Sequence, residues 1–284
     1  MPELPEVETT RQDLHQLILG RRMVAIHCSG KAMRLPWPAD LTARLVGRQL
    51  IDTGRRAKYL LLYTDDNQVL AIHLGMSGRM VLSQLAEEGE EVAPHTHLHI
   101  TLDNGQTVGL QDPRRFGSVS LMPVAELASW PPLSKLGVEP FSADFTADYL
   151  AQRLAGRVTA IKIALLDQQL VAGIGNIYAS EALHLACIAP QLAAGQLTLP
   201  QLRALVPAIQ QVLTAAIASG GSSLRDHIRP LGQLGSFQNH FRVYDRMNQP
   251  CPNHVAAQNC SSLIKKLVQT GRATFYCPSC QALP

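Results

Sequence analysis

The chain has 284 residues, is 46% hydrophobic and carries a formal net charge of only +3; that is enough apolar material for a buried core and, at roughly 100–200 residues per domain, for two domains. No stretch reaches the ~18 consecutive apolar residues of a membrane span, and Glu3, Glu6 and Glu8 near the start exclude a secretory signal or a transit peptide, which open basic. A soluble, cytosolic protein is expected, and a balance of +5 in residues 225–284 against −2 in the rest makes a polyanion-binding tail one reading of the asymmetry.

The opening MPELPEVE predicts a helix. Pro5 suits a first turn, Glu6 and Glu8 suit the positive end of the helix dipole, and Val7, Leu14, Leu17 and Ile18 follow at helical spacing. Residues 2–4 are not explained by that helix. A small second residue such as Pro2 allows removal of Met1, which would leave a secondary amine at the N-terminus.

From Met23 to about Leu121 short β-prone runs dominate: MVAIHC (23–28), KYLLLYT (58–64), QVLAIHL (68–74), LHITLDNG (98–105) and GSVSLMP (117–123). Asp103-Asn104-Gly105 between alternating runs signals a hairpin. Strands at this spacing predict a sandwich or a barrel. The acidic stretch 83–97 reads as an exposed loop, and WPPLSKLGVEP (130–140) reads as a linker punctuated by proline and glycine. Helical periodicity then takes over in 147–156, 159–168, 177–188 and 199–221, the last expected to kink at Pro207.

Of six cysteines, Cys28 and Cys187 stand alone in apolar surroundings and are expected to be inert core residues. Cys251, Cys260, Cys277 and Cys280 crowd into the last 34 residues. Cytosolic disulfides are rare, so one structural zinc ion is expected. Cys277-x2-Cys280 follows the β-prone RATFY (272–276), while the first pair is spaced Cys251-x8-Cys260, a lengthened turn in which His254 is an alternative ligand to Cys251.

Four further stretches carry chemistry: RRAKYLL (55–61), HLGMSG (73–78), DPRRFG (112–117) and GIGNIYASEAL (173–183). With MPELPEVE at the start and GRATFYCPSC at the end, they make the chain resemble formamidopyrimidine-DNA glycosylase, a bacterial base-excision repair family, over nearly its whole length. The resemblance implies an α+β multidomain fold: an N-terminal β-sandwich with a flanking helix (1–130), a linker (131–140), a helix-two-turn-helix domain (141–236) and a zinc-finger β-hairpin (237–284).

It also implies roles. Pro2, freed of Met1, would be the nucleophile, since an α-amine titrating near 8 keeps a neutral fraction at cytosolic pH. Glu3 would be the general acid, its proton retained by burial. Glu6 would fix the N-terminus by hydrogen bonding, and Lys58 and Arg272 would serve phosphate binding and elimination. A base must leave the duplex to be reached, and Met76, Arg114 and Phe116 resemble the family's gap-filling triad. His73, His95, Arg157, Lys162 and Asn176 match DNA-contact positions, with Arg157 where a lysine is expected; Asn176, after GIG, also reads as a helix N-cap. Two stretches depart from the family pattern: the lengthened Cys251–Cys260 turn, and RPLGQL (229–234), where the family has a loop that closes over the extruded base. A monomer acting on duplex DNA with oxidised purines is implied. An endonuclease VIII-type enzyme for oxidised pyrimidines and a catalytically silent damage-binding zinc protein are the alternatives.

Overall fold

The computed structural model describes residues 1–84, 93–223, 228–254 and 260–283. Most of the acidic stretch, residues 225–227 and most of the turn between Cys251 and Cys260 lie outside the described residues, as does the side chain of His254. The chain divides into two compact units, residues 1–134 with 217–236, and residues 135–216 with 237–284.

The first unit begins with α1 (Leu4–Ile18), headed by Glu3 with Pro5 in its first turn. Two antiparallel four-stranded sheets follow. One has the order β1-β6-β7-β5, made of Met23–Cys28, Thr96–Leu102, Gln106–Gln111 and Arg79–Gln84; the other has the order β2-β3-β4-β8, made of Leu50–Arg56, Tyr59–Thr64, Gln68–His73 and Ser118–Pro123. Short helices α2 (Leu41–Leu45) and α3 (Pro131–Ser134) complete it. Alternation puts Leu60, Leu62, Leu70 and Ile72 of one sheet and Met80, Leu98, Ile100, Val108 and Leu110 of the other into one core, which Val7, Leu14 and Ile18 of α1 also enter. The architecture is therefore a β-sandwich with a flanking helix, and truncating one of these leucines costs about 2–5 kcal/mol.

In the second unit α4 (Ala147–Leu154), α5 (Ile161–Leu165), α6 (Asn176–Leu185) and α7 (Leu199–Ala218, passing through Pro207 and ending in the first unit) precede a hairpin of β9 (Lys265–Gln269) and β10 (Arg272–Tyr276). Both turn residues, Thr270 and Gly271, have positive φ, as a two-residue hairpin turn of the primed kind requires. Two readings need correction. Cys187 is exposed rather than in the core, because α6 stops at Leu185 and Cys187 takes a left-handed conformation (φ 53°) just beyond it; Cys28 is half-buried. Gly175, not Asn176, is the N-cap of α6, and Asn176 is its first residue.

Candidate active site and nucleic-acid interface

Strand register gathers the first set of site residues at one end of the sandwich. Arg56 pairs with Tyr59 across the β2–β3 turn, Tyr59 with His73, and His73 with Ser118. In the other sheet Arg79 and Thr96 both pair with Gln111. The turn holding Lys58, the 74–78 and 112–117 crossovers between sheets, and His95 just before β6 therefore share that end.

The start of α1 is built on buried carboxylates. Pro2 is buried, and Glu3 and Glu6 are 3% and 2% exposed. Glu6 Oε2 accepts the Glu3 N–H at 2.9 Å, and its Oε1 accepts the Ser222 N–H at 2.8 Å and hydroxyl at 3.0 Å. Gly221 (φ +79°) allows the approach, since a Cβ there would lie 3.2 Å from Glu6 Oε1. Two residues on, Glu8 takes Arg11 at 2.7 Å and Arg55 at 3.1 Å. Burial raises its pKa, yet the two guanidiniums outweigh burial and hold it below the usual carboxylate range. Arg55 also donates to the Ala57 carbonyl at 3.0 Å, which ties the Lys58 turn to Glu8; Lys58 itself is buried.

Asp112, fully buried, joins the two crossover loops: Oδ1 accepts the Ser77 hydroxyl at 2.6 Å and Oδ2 the Gly117 N–H at 2.7 Å. The backbones meet so closely that a Cβ on Gly75 (φ +65°) would lie 2.4 Å from the Phe116 carbonyl carbon. On this base Met76 and Phe116 stand exposed at 42% and 45%, and the Arg114 guanidinium lies 4.8 Å above the Phe116 ring. Large apolar side chains on rigid loops in water are what a wedge between bases needs. His73 Nδ1 accepts the Gly75 N–H at 3.0 Å, so its neutral tautomer carries the proton on Nε2. Burial, then the charges of Arg34 and Lys58, push its pKa down to about 4. His95 is exposed with φ 65°.

The second unit carries the remaining residues. Lys162 is fully buried: its ammonium donates to Asn176 Oδ1 at 2.7 Å, the Ala273 carbonyl at 2.8 Å and Thr274 Oγ1 at 2.7 Å. Asn176 Nδ2 donates to the same Ala273 carbonyl at 3.0 Å and to Tyr244 Oη at 3.4 Å. Lys162 thus ties α5, the start of α6 and β10 together, and Arg272 is exposed beside that joint at the first position of β10. Arg157 is half-exposed and pairs with Asp167 at 3.2 Å.

The Sγ atoms of Cys251, Cys260, Cys277 and Cys280 lie within 4.8 Å of one another, at 3.8 Å for Cys251–Cys280 and 3.5 Å for Cys260–Cys277. Tetrahedral coordination at about 2.3 Å puts sulfurs about 3.8 Å apart, so the set fits a metal ion. Burial, then the Cys260 and Cys277 thiols, push Cys280 up to about 11, and ligation of a metal ion requires its thiolate. His184 of α6 meets Cys251 Sγ at 3.4 Å through Nε2, and its Nδ1 accepts from Arg242 at 3.2 Å; such contacts orient ligands. Glu181 of the same helix accepts three backbone N–H groups, from Arg242, Val243 and Tyr244, at 2.7–3.0 Å.

Sequence reading missed Arg34, Ser77, Asp112, Glu181, His184 and Arg242 as site builders. Only Asp112, ahead of Pro113, carried a local signal, that of a turn.

These features define a class: a β-sandwich with buried carboxylates at its N-terminus, joined in sequence to a helix-two-turn-helix unit that ends in a cysteine-rich hairpin. Two family models match, the formamidopyrimidine-DNA glycosylase N-terminal domain over residues 1–119 and the formamidopyrimidine-DNA glycosylase H2TH domain over residues 136–227. The formamidopyrimidine-DNA glycosylase of Rhodospirillum rubrum is 49% identical over 277 residues, 98% of either chain, and that of Rhizorhabdus wittichii 47% identical over 281 residues, 99% of this chain and all of the relative. A Lactococcus lactis FPG mutant in complex with a Fapy-dG containing DNA superposes with a TM-score of 0.90 at 34% identity, over 99% of this chain and 100% of that one. The chain belongs to the formamidopyrimidine-DNA glycosylase family.

Proposed function

We propose that this chain is a bifunctional DNA glycosylase and abasic-site lyase of base excision repair, removing 8-oxoguanine and formamidopyrimidines from duplex DNA. The observation that carries the reading is that Pro2, Glu3 and Lys58 are buried at the head of α1 and the adjacent hairpin turn, while Met76 and Phe116 stand exposed on loops at the same end as that turn. Membership of the family supports it.

Once Met1 is removed, the Pro2 amine attacks the sugar C1′ and the base departs, leaving a cationic Schiff base. Glu3, buried beside Pro2, protonates the opening sugar. The iminium acidifies the neighbouring sugar proton, and β-elimination followed by δ-elimination leaves a one-nucleotide gap; Lys58 serves the first elimination and Arg272 the second. Met76, Arg114 and Phe116 fill the space of the extruded nucleotide, the guanidinium facing the orphaned cytosine. His73, neutral with Nε2–H free of the Gly75 contact, donates to a phosphate, and His95, Arg157 and Asn176 add contacts. Lys162 acts through Asn176, as a positioning residue. The metal is one structural zinc ion on Cys251, Cys260, Cys277 and Cys280, which supplies a cross-link and no open coordination position. The working modules are the two compact units, residues 1–134 with 217–236 and residues 135–216 with 237–284, acting as a cytoplasmic monomer on DNA.

Matched duplexes with 8-oxoguanine opposite cytosine and with thymine glycol test the reading. Faster incision of the 8-oxoguanine strand is expected. Preference for thymine glycol would favour the endonuclease VIII-type alternative, and tight binding without incision the silent one.

A further inference from the structure

We propose that Asp13 and Arg229 form a positioning clamp that sets the 228–235 segment for contact with the damaged base; the inference rests on the function proposed above. Glu6 and Asp13 are seven residues apart on α1, hence on one face two turns apart. Each holds one part of the same chain segment. Glu6 takes Ser222, as described, and Asp13 receives Arg229 as a two-pronged fork, Nε to Oδ2 at 2.8 Å and Nη2 to Oδ1. The pair is mostly out of water, with side-chain exposures of 26% for Arg229 and 11% for Asp13.

The segment beyond is built around that fork. Arg229 N–H donates to the Gln233 carbonyl at 2.9 Å and Gly232 N–H to the Arg229 carbonyl at 2.8 Å, closing a turn. The Pro230 carbonyl accepts the Leu82 N–H of edge strand β5 at 2.9 Å. The neck is pinched where Ser222 bridges Ser236 and Gly235 N–H donates to Ser223 Oγ at 2.9 Å. This frame presents two leucines to water, Leu231 and Leu234, exposed at 52% and 66%, with the exposed Gly232 and Gln233 between them. Because Glu6 holds both Ser222 and the Glu3 N–H, the segment and the N-terminus share one anchor. Apolar side chains held there suit the face of a base. A site that has already lost its base offers them nothing, so the clamp acts on excision and not on cleavage of abasic sites.

Asp13→Asn, Arg229→Gln and the charge-swapped double variant Asp13→Arg/Arg229→Asp test this, with single-turnover rates on an 8-oxoguanine:cytosine duplex and an abasic-site duplex, and amide exchange at 228–235. The single variants should lose about tenfold in the single-turnover rate on 8-oxoguanine, as expected for a broken charge-assisted pair, keep abasic-site cleavage within about twofold, and exchange faster; the swap should recover both readouts. Equal loss on both substrates, or no loss on either, would overturn the clamp. Amide exchange reports on it even if the wild type cuts no DNA, so an inactive wild type would count against the proposed function alone, and unchanged exchange in the single variants would count against the clamp.

Discussion

Glu6→Gln isolates the anchor of the N-terminus. Glu6 receives three donors in a pocket where Glu3, Glu6 and Ser222 are each under 5% exposed, so water cannot replace a lost partner. A glutamine keeps one acceptor oxygen and turns the other position into a donor. If the amide oxygen stays on Ser222, its NH2 faces the Glu3 N–H; if it flips, it faces both Ser222 donors. Either way at least one buried N–H loses its partner, at about 1–3 kcal/mol, and the bonds that survive lose their charge assistance. A total near 2–3 kcal/mol follows, and at about 2–4 °C per kcal/mol for a unit of this size the Tm should fall by roughly 4–12 °C. Differential scanning calorimetry measures that fall, and rapid-quench trapping measures the accompanying loss of Schiff-base formation. A Tm within about 1 °C of wild type together with unchanged trapping would refute the reasoning.

Gly75→Ala should cost about 2–4 kcal/mol in urea unfolding and weaken discrimination of lesion from intact duplex, because the new Cβ meets backbone at 2.4 Å and φ is +65°; a neutral result would mean that the two loops are not rigidly joined. His73, pushed from its ordinary 6.5 to about 4, binds protons less readily folded than unfolded. Its stabilisation is complete above pH 6.5 and fades as pH falls toward 4, by about 3 kcal/mol, so stability measured from pH 7.5 to 4.5 should fall less steeply in His73→Gln than in wild type. Native mass spectrometry should find one zinc per chain, lost in Cys251→Ser and kept in His254→Ala; the reverse would make His254 the ligand.

Much of the fold was legible because its strands alternate and its turns are marked. MVAIHC and GSVSLMP became β1 and β8 almost residue for residue. β2 was missed because LIDTGRR contains Asp52 and Gly54, poor strand formers, and is a strand through its pairing with β3. The site was legible where chemistry is local, as in the cysteine spacing or the glycines flanking Met76. It was opaque where one charge serves a distant partner: nothing near Asp13 announces Arg229, nor does anything near Lys162 announce Thr274. Burial of Lys162 was likewise hidden, since an isolated lysine in a helical stretch reads as a surface cation until β10 supplies its acceptors.

The central claim is that Pro2 is the nucleophile. Borohydride trapping on an 8-oxoguanine:cytosine duplex, with intact-mass measurement and peptide mapping of the adduct, tests it most directly. The account predicts a single covalent DNA adduct on residue 2 of a chain lacking Met1, reduced in Pro2→Gly, whose N-terminus keeps a primary amine, and reduced in Glu3→Gln. An adduct mapping to a lysine, or tight salt-dependent binding with no adduct, would contradict it.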